Sequence, residues 1–414
     1  MKILELAPYA FIEGHPHGSR NTSGLAYMIR SICDMVAIQN EVRLLTQSIF
    51  TREQNVNGWL LVKRSLATIM FHFKWCYIRL FFMIGNNEKK ANIPRLFLYC
   101  LSAGQVEDYI RNWNPDVVHI HGIGLQTLPF YVAASRCNAR VVTTLHGLLS
   151  FHSIVPVPES AKSLESRFIE MCLRHNYSMT VISTGMKVKI QDRYQVRGDN
   201  ITVIPNCFRK VEYEVKKSSH DNNVKRIICV GALYPLKNQI QVIRVLPKVQ
   251  QKLGDDYKVT LDLVGDGEKA REWKTYVENS NIENVSFCGR LPQKEVFRAI
   301  SQSDLLVFPS IEEGFGIPII EAYNCGTPVV TFADLDAAQD VADEDCCIFA
   351  SSRSDEALAQ AIVEALTREW DSEIIKAHSK YFSINPIADK YCKVLNSNHR
   401  EWNESVIKKL IWES

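Results

Sequence analysis

No stretch of this chain stays apolar long enough to cross a bilayer as a single helix. The best candidate, KRSLATIMFHFKWCYIRLFFMI (63–84), is interrupted by Lys63, Arg64, Lys74 and Arg79 before reaching the roughly 20 apolar residues a span needs. A bias of charge is also missing. Forty-eight Lys and Arg against 46 Asp and Glu leave a formal net charge of +2, which gives no global attraction to nucleic acid. There is no fixed-period repeat and no low-complexity tract, so solenoids and disordered spacers are excluded. The 12 cysteines include no CxxC pair and several sit in apolar runs such as IICV and VSFCG, so they read as reduced core residues rather than a disulfide framework. The opening MKILELAPYAF has one lysine and no apolar core ending in a small-residue cleavage site. It reads as a first strand rather than a signal peptide, and a cytoplasmic protein is expected.

What is present is alternation. Short apolar, β-branched runs recur between helical stretches: KILELA, EVRLLTQ, DVVHIHG, RVVTTLHG, MTVIS and ITVIP come before residue 206, and RIICVG, VTLDLVG, NVSFCG, DLLVFPS and PVVTF after it. Such alternation predicts α/β architecture with parallel sheets and crossover helices. A length of 414 residues allows two or three domains. The polar, aperiodic FRKVEYEVKKSSHDNN (208–223) separates the two series of strands and is the expected boundary. The segment 63–84 departs from the pattern, with Leu66, Ile69, Met70, Phe73, Tyr77, Leu80 and Ile84 at helical spacing and basic residues elsewhere. Two readings of it stand: a helix lying on an anionic membrane surface, or an ordinary helix packed on the first sheet.

The stretch FPSIEEGFGIPIIEAYNCGTPVV (308–330) carries the most chemistry. Apolar runs on both sides predict strands, and the helix between them has Pro318 near its start and Gly326 past its end. Glu313 then falls in the glycine loop and Glu321 on the first turns of the helix. A strand, glycine loop and helix N-terminus aim free N–H groups at one point, which suits a phosphate ester. For Glu321 alone, the simpler reading is an acid that offsets the helix dipole. His119 and His121 form an HxH on one face of a strand, but no acid or cysteine cluster in the sequence completes a metal set, so no metal is expected.

With Glu313 and Glu321 bracketing seven residues, GFGIPIIEA resembles the E(x7)E signature of the retaining glycosyltransferases of family 4. PDVVHIHG (115–122), TTLHG (143–147), VIPN (203–206), VGALYPLKNQ (230–239), LVGDGE (263–268) and VSFCGRLP (285–292) are similar to the family's motifs and follow in its order. The resemblance implies the GT-B fold, with two Rossmann-like domains facing across a cleft. Residues 1–205 would bind acceptor and 206–384 a nucleotide-sugar donor, and because FSINPIADKYCKVL (382–395) is similar to the family's C-terminal crossing helices, 385–414 would return to the first domain. It further implies a retaining transfer to a glycan or lipid-linked acceptor of surface glycan synthesis, at the inner face of the membrane.

Site roles also follow from the resemblance. Glu313, His121 and Lys237 would be catalytic; Gly24, Lys237, Gly265, Gly267, Glu313, Gly314, Phe315, Gly316, Ile317 and Glu321 would bind donor. Lys237 would meet the diphosphate as charge develops on the leaving group. Glu313 would hold the sugar and Glu321 the two ribose hydroxyls. His121, and at the next strand end His146, would orient sugar or acceptor. No acidic DxD-like pair marks the donor loop, and Asp343 to Asp345 lie beyond the second glutamate's helix, so transfer without a divalent metal is expected. The chain departs from the family at Ala232, where arginine is frequent, at Cys207, where glycine is common near the hinge, and at Ser23, which replaces a glycine beside Gly24. Three rivals remain: a nucleotide-sugar epimerase of the same fold, a silent scaffold, and an oxidoreductase suggested by GDGEKA (265–270), which matches GxGxxA but lacks the acid after the next strand.

Overall fold

A computed structural model describes residues 1–12, 24–50, 52–87, 93–152, 156–208, 223–341 and 343–412. Ser23 and most of the expected boundary segment, 209–222, lie outside these residues. The chain forms two compact units. One comprises Met1–Ile182, Met186–Ile204 and Ile387–Ser414, and the other Ser183–Gly185 and Pro205–Pro386.

The first unit is built on an eight-stranded sheet: β1 (Lys2–Ala7), β2 (Glu41–Thr46), β3 (Gln54–Val56), β4 (Trp59–Leu61), β5 (Val117–His121), β6 (Val141–Leu145), β7 (Ser178–Val181) and β8 (Ile201–Val203), in the order β3-β4-β2-β1-β5-β6-β7-β8. Pairing is parallel except between β3 and β4, whose short hairpin turns at Asn57 and Gly58. β5 and β6 are buried at every residue, the burden of a central parallel strand covered by helices on both faces. From β1 the chain moves to one side as β2 and returns to the other as β5, so the sheet reverses its winding between β1 and β5. The C-terminal residues complete this unit. Trp402 is 1% exposed and stacks on Tyr177 at 4.5 Å and Tyr131 at 5.3 Å, while Arg136 pairs with Glu404 at 2.7 Å.

The second unit has a six-stranded, all-parallel sheet of β9 (Val224–Val230), β10 (Lys258–Val264), β11 (Val285–Gly289), β12 (Leu305–Val307), β13 (Val329–Phe332) and β14 (Cys347–Ala350), in the order β11-β10-β9-β12-β13-β14. Its core joins Ile227, Leu261, Leu263, Leu305 and Val330 to helix residues such as Val242, Ile243, Leu358 and Ile362. Here the winding reverses between β9 and β12. Ligands of open parallel sheets bind at such switch points, beyond the carboxyl ends of the strands. All 12 cysteines are free, nine of them buried, and Cys288 is exposed.

The segment 63–84 is not one helix. Ser65 caps a short helix, Leu66–Phe71, through a capping box with Thr68, and a second helix, Trp75–Asn87, begins after a break. The break is anchored on the neighbouring helix Ile93–Trp113: Lys74 Nζ lies 3.0 Å from Glu107 and 2.5 Å from Asp108, and His72 Nδ1 is 2.8 Å from Asp108. Gly104 of that helix admits the contact, since a Cβ there would stand 2.1 Å from His72 O. Ile69, Tyr77, Leu80 and Ile84 point inward, whereas Leu66 and Met70, expected on the same face, are exposed. Arg64, expected on the basic face, is 1% exposed and donates to Thr46 O and to Gln47 Oε1. Among the described residues no helix is long and apolar enough to cross a membrane.

Candidate active site

In the second unit, Lys237 and Glu313 meet at the switch point. Lys237 ends a single 3-10 turn, Pro235–Lys237, that follows β9, and Glu313 lies in the loop that follows β12. Their side chains form an ion pair, each about a quarter exposed. Arg353 fixes the start of the Glu313 loop by donating to Ser310 O at 2.7 Å and Ile311 O at 3.3 Å, while its guanidinium grips Asp334 at 2.7 and 2.9 Å. Ile311 N donates to Leu236 O at 2.8 Å, so the two loops are also joined through their backbones.

The loop then enters the helix Ile317–Cys325 through Gly316, whose φ of +89° favours glycine. Pro318 stands second in the helix and Gly326 closes it with φ +75°. In the first turn Pro318 has no N–H and Ile319 N donates to Gly316 O at 3.0 Å, which leaves the Ile317 N–H without a helical partner. Of the residues read as donor-binding, Gly314, Gly316 and Ile317 line this entry. Phe315 is 1% exposed and packs edge-on to Phe382, so it offers a backbone N–H and no ligand-facing ring.

Glu321 lies one turn further in and is 7% exposed. Its Oε1 accepts from Gln293 Nε2 at 2.5 Å. Burial pushes its carboxyl up to about 7, with the Gln293 hydrogen bond acting in the opposite sense. Burial of this acid costs more than an exposed acid gains from the helix dipole. Gly265 and Gly267 have a packing role of their own. A Cβ on Gly265 would come within 1.9 Å of Gly231 O, and one on Gly267 within 2.5 Å of Leu233 O. The loops after β9 and β10 therefore lie backbone to backbone.

In the first unit Gly24 begins the helix Gly24–Val36 after β1, and a Cβ there would meet nothing within 4 Å among the described residues. His121 ends β5 and is fully buried. Both of its ring nitrogens are engaged, Nε2 at 2.8 Å from Glu5 Oε2 and Nδ1 at 3.0 Å from His146 Nε2. His119 Nδ1 lies 2.9 Å from the same Glu5 oxygen, oblique to a hydrogen-bond direction, and its Nε2 is 2.6 Å from Thr144 Oγ1. Burial alone would push the Glu5 carboxyl up, but His119 and His121 outweigh it and hold the group at about 2. Burial and then the charge of His119 bring His121 down to about 4, and burial followed by the charge of His121 holds His146 well below the ordinary histidine range.

The HxH therefore has an acid, contrary to the sequence reading. Glu5 comes from β1, paired with β5 in the sheet and remote from it in sequence. Among the described residues, Glu5, His119 and His121 are one of two groups whose spacing could hold a metal ion, the other being Asp343, Cys346 and His378. In the first group the contacts to Glu5 are 2.8 and 2.9 Å, the spacing of hydrogen bonds, whereas ligands around a zinc ion stand about 3.3 Å apart. In the second, burial and the neighbouring Asp343 and Asp345 carboxylates raise the Cys346 thiol to about 12, which opposes the thiolate a metal needs.

The family model "Glycosyltransferase Family 4" matches residues 88–209, and "Glycosyl transferases group 1" matches 211–381. The chain belongs to the family 4 glycosyltransferases. Among curated relatives, the phosphatidylinositol N-acetylglucosaminyltransferase GPI3 subunit of Saccharomyces cerevisiae is 24% identical over 261 residues, covering 60% of this chain and 55% of the relative. The O-antigen chain mannosyltransferase RfbU of Salmonella typhimurium is 28% identical over 206 residues, 47% of this chain and 56% of that one. These matches thus span about half the length of each relative. The solved structure of HepE from Anabaena, in complex with UDP and glucose, is 16% identical with a TM-score of 0.62, covering 96% of this chain and 100% of that chain. The fold is GT-B.

Against the family pattern, Ala232 brings no cation, and its carbonyl accepts from Gln239 at 3.2 Å. Cys207 is 2% exposed, a small buried side chain in place of the usual glycine. Sequence reasoning missed Gln293, Arg353 and Glu5. For Glu5 a signal exists, since an acid inside the apolar run KILELA has to find a buried partner. For Arg353 there is none, because its partners lie on loops distant in sequence.

Proposed function

We propose that this glycosyltransferase moves a sugar from a nucleotide-sugar donor to a glycan or lipid-linked acceptor of surface glycan synthesis, with retention at the anomeric carbon. The observation that carries the reading is the Lys237–Glu313 pair at the β9/β12 switch point, beside a helix N-terminus. Lys237 neutralises the diphosphate as the glycosidic bond breaks, and donor binding exchanges its carboxylate partner for phosphate. Released from Lys237, Glu313 accepts hydrogen bonds from sugar hydroxyls, and Glu321 accepts the ribose hydroxyls. HepE crystallised with UDP and glucose supports a nucleotide-sugar of this kind. No metal takes part in this scheme, since the lysine and the N–H groups balance the charge.

The acceptor side includes a membrane surface at the cytoplasmic face. Phe71, Trp75 and Phe82 are 85, 75 and 59% exposed, Leu66 and Met70 are 55 and 60% exposed, and Lys63 and Arg79 are exposed beside them. Apolar and aromatic side chains with a basic fringe suit the interface of an anionic leaflet. The deciding experiment is a thermal-shift screen of nucleotide-sugars followed by turnover with and without acceptor glycolipids. A donor that stabilises the protein and turns over only with acceptor present supports transfer. Interconversion of the donor without acceptor would replace it with epimerisation.

A further inference from the structure

Glu5, His121 and His146 form a chain of hydrogen bonds running from the middle of β1, through the end of β5, to the residue just past β6. The direction of each bond follows from its buried end. Glu5 is fully buried with both imidazoles of the HxH against it and is ionised, so its oxygens only accept. The facing nitrogen, His121 Nε2, must carry the hydrogen. In a neutral ring the other nitrogen, Nδ1, is then a lone pair, and His146 Nε2 opposite it at 3.0 Å must be the donor. This leaves Nδ1 of His146 as an acceptor that is buried and, among the described residues, without a hydrogen-bond partner. His119 shares the Glu5 oxygen but leads away from the chain, towards Thr144 and Thr180.

We propose that Glu5 is a positioning residue which, through His121, locks His146 as the Nε2–H tautomer and so keeps His146 Nδ1 as a buried, unsatisfied acceptor at the carboxyl end of β6, to be satisfied when binding brings a hydroxyl of sugar or acceptor to it. The proposal rests on the glycosyltransferase reading for the identity of that hydroxyl, and on the geometry alone for the relay. It also gives His121 a role consistent with its two occupied nitrogens: the ring passes on an orientation and touches no ligand. A carboxylate that fixes the tautomer of the histidine it bonds is a recurrent device where a ring must face a ligand with one chosen nitrogen, and here the second imidazole extends it by one bond.

The test is long-range 1H–15N correlation of the full-length protein labelled at histidine, which reads the tautomer of each ring without substrate. Assignment uses His121→Asn and His146→Asn. The wild type is expected to show Nε2–H, with unprotonated Nδ1, at both rings. Glu5→Leu is close in volume and cannot accept, so Nδ1–H signal should enter at both rings; Glu5→Gln, which keeps an acceptor oxygen, should restore the wild-type pattern. Wild-type Nδ1–H at either ring overturns the relay even if the variants fail to fold, and so does an unchanged pattern in Glu5→Leu. With a donor and acceptor in hand, Glu5→Leu should lose at least tenfold in turnover and Glu5→Gln should recover most of it. Absence of transfer by the wild type would refute the functional reading and leave the tautomer result standing.

Discussion

Glu313 and Glu321 are the same residue eight positions apart, and their surroundings give them opposite tasks. Glu313 is partly exposed and already paired with a cation; Glu321 is buried with an amide for company. Glu313→Gln keeps the shape and removes the charge, so turnover should fall by about 10² or more if its contacts strengthen in the transition state. Glu321→Gln should act on donor affinity instead, by about 1–3 kcal/mol, as measured by calorimetry. The buried acid also has a pH signature. Its native pKa of about 7 lies above the ordinary 4.5, so the native state holds the proton more tightly than the unfolded chain does. Stability from this group is complete below pH 4.5 and lost as pH rises through 7, where the buried carboxylate costs about 3 kcal/mol. Glu321→Gln should therefore raise the Tm more at pH 8 than at pH 5 while weakening donor binding, the pattern of a residue kept for function against stability. Donor affinity of the wild type should rise with pH up to about 7, with proton release in calorimetry across buffers; a flat profile would show that the ribose does not bind the carboxylate form.

At the scale of elements, the loops after β9 and β10 leave no space for a side chain. Gly265→Ala should cost several kcal/mol or displace the Gly231 loop, because the nearest atom is backbone rather than a side chain that could move. Thermal denaturation of the variant measures this, and a Tm within a degree of wild type would contradict the packing. The helices of 66–87 make a separate prediction. Substituting Phe71, Trp75 and Phe82 by serine should abolish binding to anionic liposomes and leave the fold intact, since these rings are exposed. Arg64→Gln should destabilise instead, because Arg64 is buried and donates to Thr46 and Gln47. Eleven apolar runs in the sequence correspond to strands, because β-branched runs between turn residues have few other stable arrangements. β3, β4 and β14 escaped, being short and set by neighbouring strands rather than by their own pattern. The break at 72–74 escaped too. It is made by Glu107, Asp108 and Gly104 on another helix, and periodicity along 63–84 carries no trace of them.

For the molecule as a whole, the C-terminal residues are part of the first unit's core. Trp402→Ala should cost about 3–5 kcal/mol, and ending the chain at Pro386 should leave the first unit unable to fold, as judged by loss of its cooperative transition. Activity should survive EDTA. Loss reversed only by magnesium or manganese would mean that a metal, and not Lys237 with the helix N–H groups, balances the diphosphate. The sequence by itself determined the parallel α/β architecture, the family, and the placing of Glu313 in a loop and Glu321 on a helix. These depend on residue order: alternating apolar runs, glycines at the turn, and fixed spacing along one helix. Only the tertiary structure decided that Glu313 is held by Lys237, that Glu321 is buried enough to titrate near neutrality, that Arg64 is buried, and that the HxH has its acid in Glu5. Each of these joins residues remote along the chain, through strand order and the packing of loops, and burial and pairing are properties of the neighbours a residue acquires on folding.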